Sequence, residues 1–423
     1  MTEPIDRSYR ALFSIPDLGQ VVLSMQLARI AQAMVAVALV LFTLAEYQSA
    51  ELAGLVVFVS IFPGIVISPI AGALLDRHGR VRLIGVDYVV ALSTMLLIGG
   101  LSLAGLLNPA LLLLIAGISS LTAPLGQTGL RSLFPLMVPE QLWERINAFD
   151  SNGYVLASIL GPPLAAAMVV LFGPQIGVMA IAVPYGLAAL ALIGVHEPPS
   201  VVVTTGRILR DALNGLRYTI GNPTLRGLAF AISSVNLAGG VTTIVLPLLI
   251  LDRLGGSELL VGLAFGLSGV SGMVSVFLFG RLDTRGREWR MLVYPMLGLM
   301  PVTAFMLAAN SDPAVALPVI GLGLIGVTML LVGALNGPLD IALFTIRQRR
   351  TDPAWLGRAF SISMTFNYAG FPIGAALAGV LAEVDLNYAI GAAIIASGLA
   401  AVFAAVLVPR EERPAGPQSD RDR

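Results

Sequence analysis

The chain has 423 residues, 57% of them apolar and 12% charged, with a mean hydropathy of +0.87. Soluble domains carry about 25% charged residues, so a fold around one core in water is excluded. The formal charge is +0, all 25 basic residues are Arg and Cys is absent. Disulfides, thiolate chemistry and a Schiff-base lysine are excluded with them, and the placement of charge must carry the information.

Apolar runs of about 20 residues, the length of helix that crosses ~30 Å of hydrocarbon, recur along the chain. Twelve predicted spans fit, at 18–45, 51–73, 82–106, 109–135, 146–172, 175–195, 226–251, 258–280, 289–309, 314–346, 358–382 and 387–409. The opening "MTEPIDRSYRALFSIPD" carries acids and no small-residue cleavage site, so no removable leader is expected. In span one, Arg29 has Gln26 and Gln32 three residues to either side. A charge inside a span costs about 2.5–3.5 kcal/mol, so Arg29 is expected to face a cavity or a partner.

Span two runs into a charged packet, "GALLDRHGRVRLI", Gly72 to Ile84. Gly79 supplies a bend, Asp76 can accept from a neighbouring helix N-terminus, and Arg80 can pair with a carboxylate there. Gly72, a turn before Asp76 on the same face, admits another helix closely. The spacing predicts a latch between the two halves of the chain, whereas a solvated basic loop would explain the arginines alone. Asp87 in span three and Asp150 in span five lie near one membrane face, where capping or pairing with loop arginines is the expected role. Span four contributes Gln127, with Arg131 near its end. In span five, "ASILGPPLAA" sets Pro162 and Pro163 where they bend the helix, beside a flat face of Ala157, Gly161 and Ala165; a plain packing kink is the other reading.

The longest interruption, His196 to Arg226, divides the spans six and six. Ile208, Leu209, Leu213, Leu216 and Ile220 recur at helical spacing within it, which predicts an amphipathic helix on the membrane surface. The expected organisation is a six-helix bundle at 1–195, a linker with that helix at 196–225, a second six-helix bundle at 226–409 and a disordered tail at 410–423. The halves repeat: "DRHGR" from Asp76 after span two is matched by "DTRGR", Asp283 to Arg287, after span eight. Arg145, Gly161 and Ala166 are likewise matched in register by Arg358, Gly374 and Gly379. Such repeats are a transporter signature, with the substrate site at their interface near the midplane. Asn236 in span seven and Asn336 and Asp340 in span ten are further polar residues inside spans, and Arg347 shares the face of Asp340 as a possible structural partner.

The Gly72–Ile84 packet closely resembles the signature loop of the major facilitator superfamily, Gly-x-Leu-Ala-Asp-Arg-x-Gly-Arg-Lys, with Leu75 and Val81 departing from it. The six-plus-six plan extends the resemblance over essentially the whole chain. It implies an all-α membrane protein of twelve transmembrane helices in two pseudo-symmetric bundles. It also implies that Asp76 and Arg80 hold a gate against the other half, with Gly72, Arg77 and Gly79 in the same motif and Asp283 and Arg287 as its second copy. The span-five stretch resembles the family's Gly-Pro antiporter motif, which implies a gating role for Gly161 and Pro162, although Ala165-Ala166 stands for the usual Gly-Gly. "RILRDALNGLRYTIGNPTLRGL" and "LRSLFPLMVPEQLWERINAF" are similar to the branch with macrolide and enterobactin exporters. Span four lacks the family's intramembrane Arg and span one an acid in its middle, both familiar proton-coupling positions. Because spans one, four, seven and ten line the cavity in the family, Gln26, Arg29, Gln127, Asn236, Asn336 and Asp340 are the expected substrate residues.

The expected function is secondary transport by alternating access, exporting small amphiphiles against a proton gradient. An uptake permease, a lipid flippase and a non-transporting sensor are the alternatives. The expected partners are a small-molecule substrate, a proton and the bilayer; neither nucleic acid nor a cofactor is expected. His78 and His196 lie in different loops without metal or general-base spacing, and a phosphate loop needs the Lys this chain lacks, so neither an enzyme nor an ATP-driven pump is expected. Except for Arg29 and Arg253, every Arg falls in the tails, the even-numbered connections or the span ends bordering them, while Glu46, Glu51, Asp252, Glu258, Asp312, Glu383 and Asp385 lie opposite. The positive-inside rule then predicts a bacterial inner-membrane protein with both termini cytoplasmic. Single Cys introduced at Ser257 or Ser311 should label with an impermeant thiol reagent in intact cells, and one at Ser200 should not; labelling at Ser200 in sealed cells would reverse the orientation.

Overall fold

The computed structural model describes residues 9–198, 216–281, 285–312, 316–351 and 356–410, without the side chains of Pro69, Ala73, Asp76, Glu144, Ala148 and 356–361. The side chain of Asp76, all of Asp283, the tail from 411 and most of the expected amphipathic helix lie outside the described residues.

Among the described residues all regular structure is helical. After a short helix, Tyr9–Phe13, come span one (Leu18–Tyr47), two (Ala50–His78), three (Arg80–Leu103) and four (Pro109–Met137). Spans seven to twelve are Pro223–Leu248, Glu258–Phe279, Glu288–Ala309, Pro318–Arg349, Leu356–Val384 and Leu386–Leu407. Eleven helices among the described residues are long and apolar enough to cross a membrane, and one of them, Arg145–Ala191, is too long for a single crossing. It reverses at Gly173 (φ 82°, ψ 164°), and a Cβ built on Gly177 would meet the backbone of Val169. That contact requires a hairpin, so 143–172 is span five, 174–191 is span six and the crossings number twelve.

Helix starts follow local chemistry. Asn108 and Asn222 accept from the first-turn N–H groups ahead of Pro109 and Pro223, and Ser49 accepts from Leu52. Where span two meets span three, Gly79 takes φ 88°, and Gly286 of the second packet takes φ 73°. L side chains rarely adopt that region, which is why both packets carry Gly.

Span one packs on five and six, two and three on four, seven on eleven and twelve, and eight and nine on ten. Equivalent glycines make equivalent contacts: Gly161 of span five presses on Ala33 of span one, and Gly374 of span eleven on Leu237 of span seven. Gly64 of span two likewise meets Ser120 of span four, and Gly272 of span eight lies near Gly333 of span ten. The sequence repeat is thus a structural one.

Span one begins and span twelve ends at one membrane surface, the terminal face; the other is the far face. The halves meet through spans two and eleven and through five and eight. Gly54 sits against the backbone of Ala375 and Gly379 near the far face, and Ser49 Oγ (3.0 Å) and Glu51 N–H (3.2 Å) both donate to Glu383 Oε1. Gly262 lies against Pro162, Pro163 and Ala166, and Gly269 against Ile159, at and beyond mid-span. Toward the terminal face the pattern ends. Among the described residues nothing lies within 4 Å of a Cβ built on Gly72, so the expected close approach is not made by any of them. Among the described residues, then, the close glycine contacts between the halves run from mid-span to the far face and are not repeated at Gly72 toward the terminal face. Gly54→Leu should therefore overpack the spans two–eleven contact and cost about 1–3 kcal/mol, read as a lower melting temperature in detergent, whereas Gly72→Ala should melt like wild type.

Candidate functional site

At 1.5 Å per residue, Arg29, Arg131, Asp150, Tyr154, Asp340 and Tyr368 all lie roughly 9–18 Å from the terminal ends of their spans, in one layer near mid-depth. On the first-half wall, Arg29 is only 6% exposed. Its guanidinium donates to both the carboxylate and the backbone carbonyl of Asp150, and its Cζ lies 3.8 Å from the Tyr154 ring centroid. Asp150 and Tyr154 are one turn apart on span five, so a single helix face supplies the carboxylate and the ring. Arg131 of span four joins them, with Nε 3.6 Å from Asp150 Oδ2 and Cζ 5.2 Å from the same ring. Gly153 makes room, because a Cβ there would meet Gln26 Oε1 at 2.5 Å and Arg29 Nη1 at 2.7 Å. Gln26 donates to the Phe149 carbonyl at 3.4 Å, while its own Oε1 is buried without a partner.

On the second-half wall, Asp340 is exposed and Tyr368 is 54% exposed. Tyr368 lies within electrostatic reach of Asp340 and Arg347 of its own half and of Tyr154 and Arg131 of the other. An exposed ring so placed faces the space between the halves. Asn336 and Gln127, one turn before Asp340 and Arg131, extend the two walls. Asn236 turns its amide back to donate to Ile232 O at 3.1 Å.

Several expectations change. Asp150 pairs mainly with Arg29 inside the layer, and Arg131 is its second, looser cation. Asp87 is buried against Gly126 and Thr122 of span four, and no arginine reaches it among the described residues. Arg347 makes no ion pair with Asp340 among the described residues; it donates to Met364 Sδ at 3.0 Å and, with the Asn367 amide suitably oriented, to its oxygen at 2.6 Å. Arg80, expected to reach the other half, donates to Ser132 Oγ and Glu197 Oε1 (3.2 Å each) among its partners, and Glu197 also accepts from Val81 N–H at 3.0 Å. The carboxylate it meets stands just past span six, at the start of the expected linker. Arg77 and Arg287 are exposed. Beside this loop, His196 donates its backbone N–H to Asp17 Oδ2 at 3.0 Å and sets its ring Nδ1 3.2 Å away. Those two contacts hold the Asp17 carboxyl below its ordinary range and tie the end of span six to the start of span one.

Arg131, Asp150, Tyr154 and Tyr368 were not among the sequence candidates. The rule that singled out Arg29, a charge within an apolar run, applies equally to Asp150 and, one turn on, points to Tyr154.

Two six-helix bundles that meet around a charged layer inside the membrane span define a membrane transporter. The chain belongs to the Major Facilitator Superfamily, whose family model matches residues 21–352. It is 37% identical to the uncharacterized MFS-type transporter y4rN of Sinorhizobium fredii, over 96% of this chain and 98% of that one. The multidrug efflux pump Tap of Mycolicibacterium fortuitum is 27% identical over 84% of each chain. An enterobactin exporter and a macrolide efflux protein also match, in keeping with the exporter-branch resemblance. A bacterial homologue of the lysosomal transporter Spinster, solved in an inward-facing, unoccupied conformation, superposes with a TM-score of 0.70 at 14% identity, over 97% of this chain and all of that one. A transporter of this family is not an enzyme.

Breaking a buried ion pair leaves one charge without compensation, at about 3–5 kcal/mol. Asp150→Asn should therefore lower thermal stability in detergent more than the double substitution Arg29→Gln/Asp150→Asn. A double variant that loses the sum of the two single effects would show that the pair is not coupled.

Proposed function

We propose that this chain is a secondary transporter that exposes the mid-depth charged layer to each face in turn and exports small amphiphilic molecules in exchange for protons. The observation that carries the reading is the one-sided contact between halves, tight at glycines near the far face and, among the described residues, not repeated at Gly72. Residues 1–195 and 226–409 act as the two moving bodies, with 196–225 as their tether. The arginine asymmetry supports a cytoplasmic terminal face, so the cavity is open on the side from which an exporter loads. Relatives named as efflux pumps and exporters support the outward direction.

The coupling residue is Asp340. It is an exposed carboxylate on the cavity wall with no ion pair among the described residues. Closing the terminal face strips water from it, and a proton or a substrate group meets that cost.

Inside-out vesicles with an acidified interior, screened with drugs, sugars, peptides and siderophores, should accumulate at least one compound, and a protonophore should abolish the uptake. Asp340→Asn should lose the gradient stimulation while membrane abundance stays normal. Accumulation in right-side-out vesicles alone would make the protein an uptake permease, and indifference to the gradient would remove proton coupling.

A further inference from the structure

The arginines of the layer are not equally engaged. Arg29 is buried and holds the Asp150 carboxylate, the Asp150 carbonyl and the face of Tyr154. Arg131 is 52% exposed, touches Asp150 through Nε alone at 3.6 Å, and rests over the Tyr154 ring at 5.2 Å. Its two Nη groups meet no acceptor among the described residues. A guanidinium fixed by Nε and by a ring presents its planar outer edge ready-made, and that edge matches a carboxylate, sulfonate or phosphate bidentately.

Snorkelling would place this side chain differently. The Arg131 backbone lies about 9 Å from the terminal end of span four, while Tyr154 lies about 16 Å along span five. A side chain seeking headgroups extends toward the membrane surface, whereas Arg131 rests against the Asp150 carboxylate and the Tyr154 ring of span five. It also comes within electrostatic reach of Tyr368 across the cavity. Arg29 and Arg131 share the single carboxylate of Asp150, so this wall carries a surplus positive charge, and Asp340 stands on the opposite wall.

We infer that Arg131 is the substrate-anchoring residue, that it binds an oxyanion, and that the molecules carried are amphiphiles with an anionic polar end. The apolar body lies across the cavity against Tyr368. Arg29 holds Asp150 and Tyr154 in place and is a positioning residue. This rests on the layer being the substrate site, as proposed above.

The test uses the purified full chain in detergent and three naphthalene probes of matched size: the sulfonate, the methanol and the methylammonium derivative. Calorimetric titration should find the sulfonate at least about tenfold tighter than the other two, as expected for hydrogen bonds to a charged group. Arg131→Gln should erase that advantage while keeping the melting temperature and single-species elution of wild type in detergent, which shows that the variant is folded. If Arg131→Gln does not purify as folded protein, Arg131→Lys decides, and loss of most of the advantage supports the inference because an ammonium lacks the fork. Tighter binding of the ammonium probe, no binding of the sulfonate by wild type at millimolar concentration, or an advantage that survives the deciding substitution would each overturn it. No gradient is present, so sulfonate preference without gradient-driven accumulation would keep the anion site and sink the export reading, and the reverse result would do the opposite.

Discussion

Hydrocarbon offers no hydrogen bonds, and everything in this molecule follows from that. Each backbone group inside the bilayer must be satisfied within its own helix, and helices that need to meet closely do so where side chains are smallest. Within each bundle, Gly161 against Ala33 and Gly374 against Leu237 bring helix backbones together and make the bundle a rigid unit. Between bundles, the same device is used among the described residues from mid-span to the far face, at Gly54, Gly262, Gly266, Gly269 and Gly379. The position of small residues along four helices thereby fixes which end of the cavity is sealed.

The same solvent governs the charges. Arg29 could not lie in span one without a partner, and Asp150 supplies it from span five. A buried pair of this kind is weak evidence for stability, since the cost of desolvation offsets the attraction. Its effect is geometric. It fixes the carboxylate and the Tyr154 ring, and these in turn hold Arg131 at the cavity edge. Guanidinium groups on one wall and a lone carboxylate on the other give the layer a direction across the interface of the two halves.

Much of this was legible in the sequence, for physical reasons. Length and hydropathy mark crossings because the bilayer sets their length, and the paired Asp-x-x-Gly-Arg packets mark the repeat because both turns need a residue tolerant of positive φ. Arg29 stood out because a charge in an apolar run must be explained. Its partner did not, since Asp150 is 121 residues away and the facing of the two helices depends on packing that no local spacing encodes. Glu197 escaped notice as the partner of Arg80 because it falls just past the last apolar run, in what reads as linker. The empty flank of Gly72 belongs to a conformation. One sequence serves every conformation of the chain, so a spacing that allows a close approach need not show it in any single one.

The carboxylate of Glu383 has a wider consequence. It ends span eleven and serves span two, receiving the Ser49 hydroxyl and the Glu51 N–H at the very start of that helix. Both donors sit at the aqueous boundary, where water makes hydrogen bonds nearly as good as those it displaces. Parting the far face thus trades two protein contacts for two hydrated ones at small net cost. A seam fastened this way keeps the two arrangements close in free energy, so that the modest preference of a bound molecule for one of them is enough to turn the cycle.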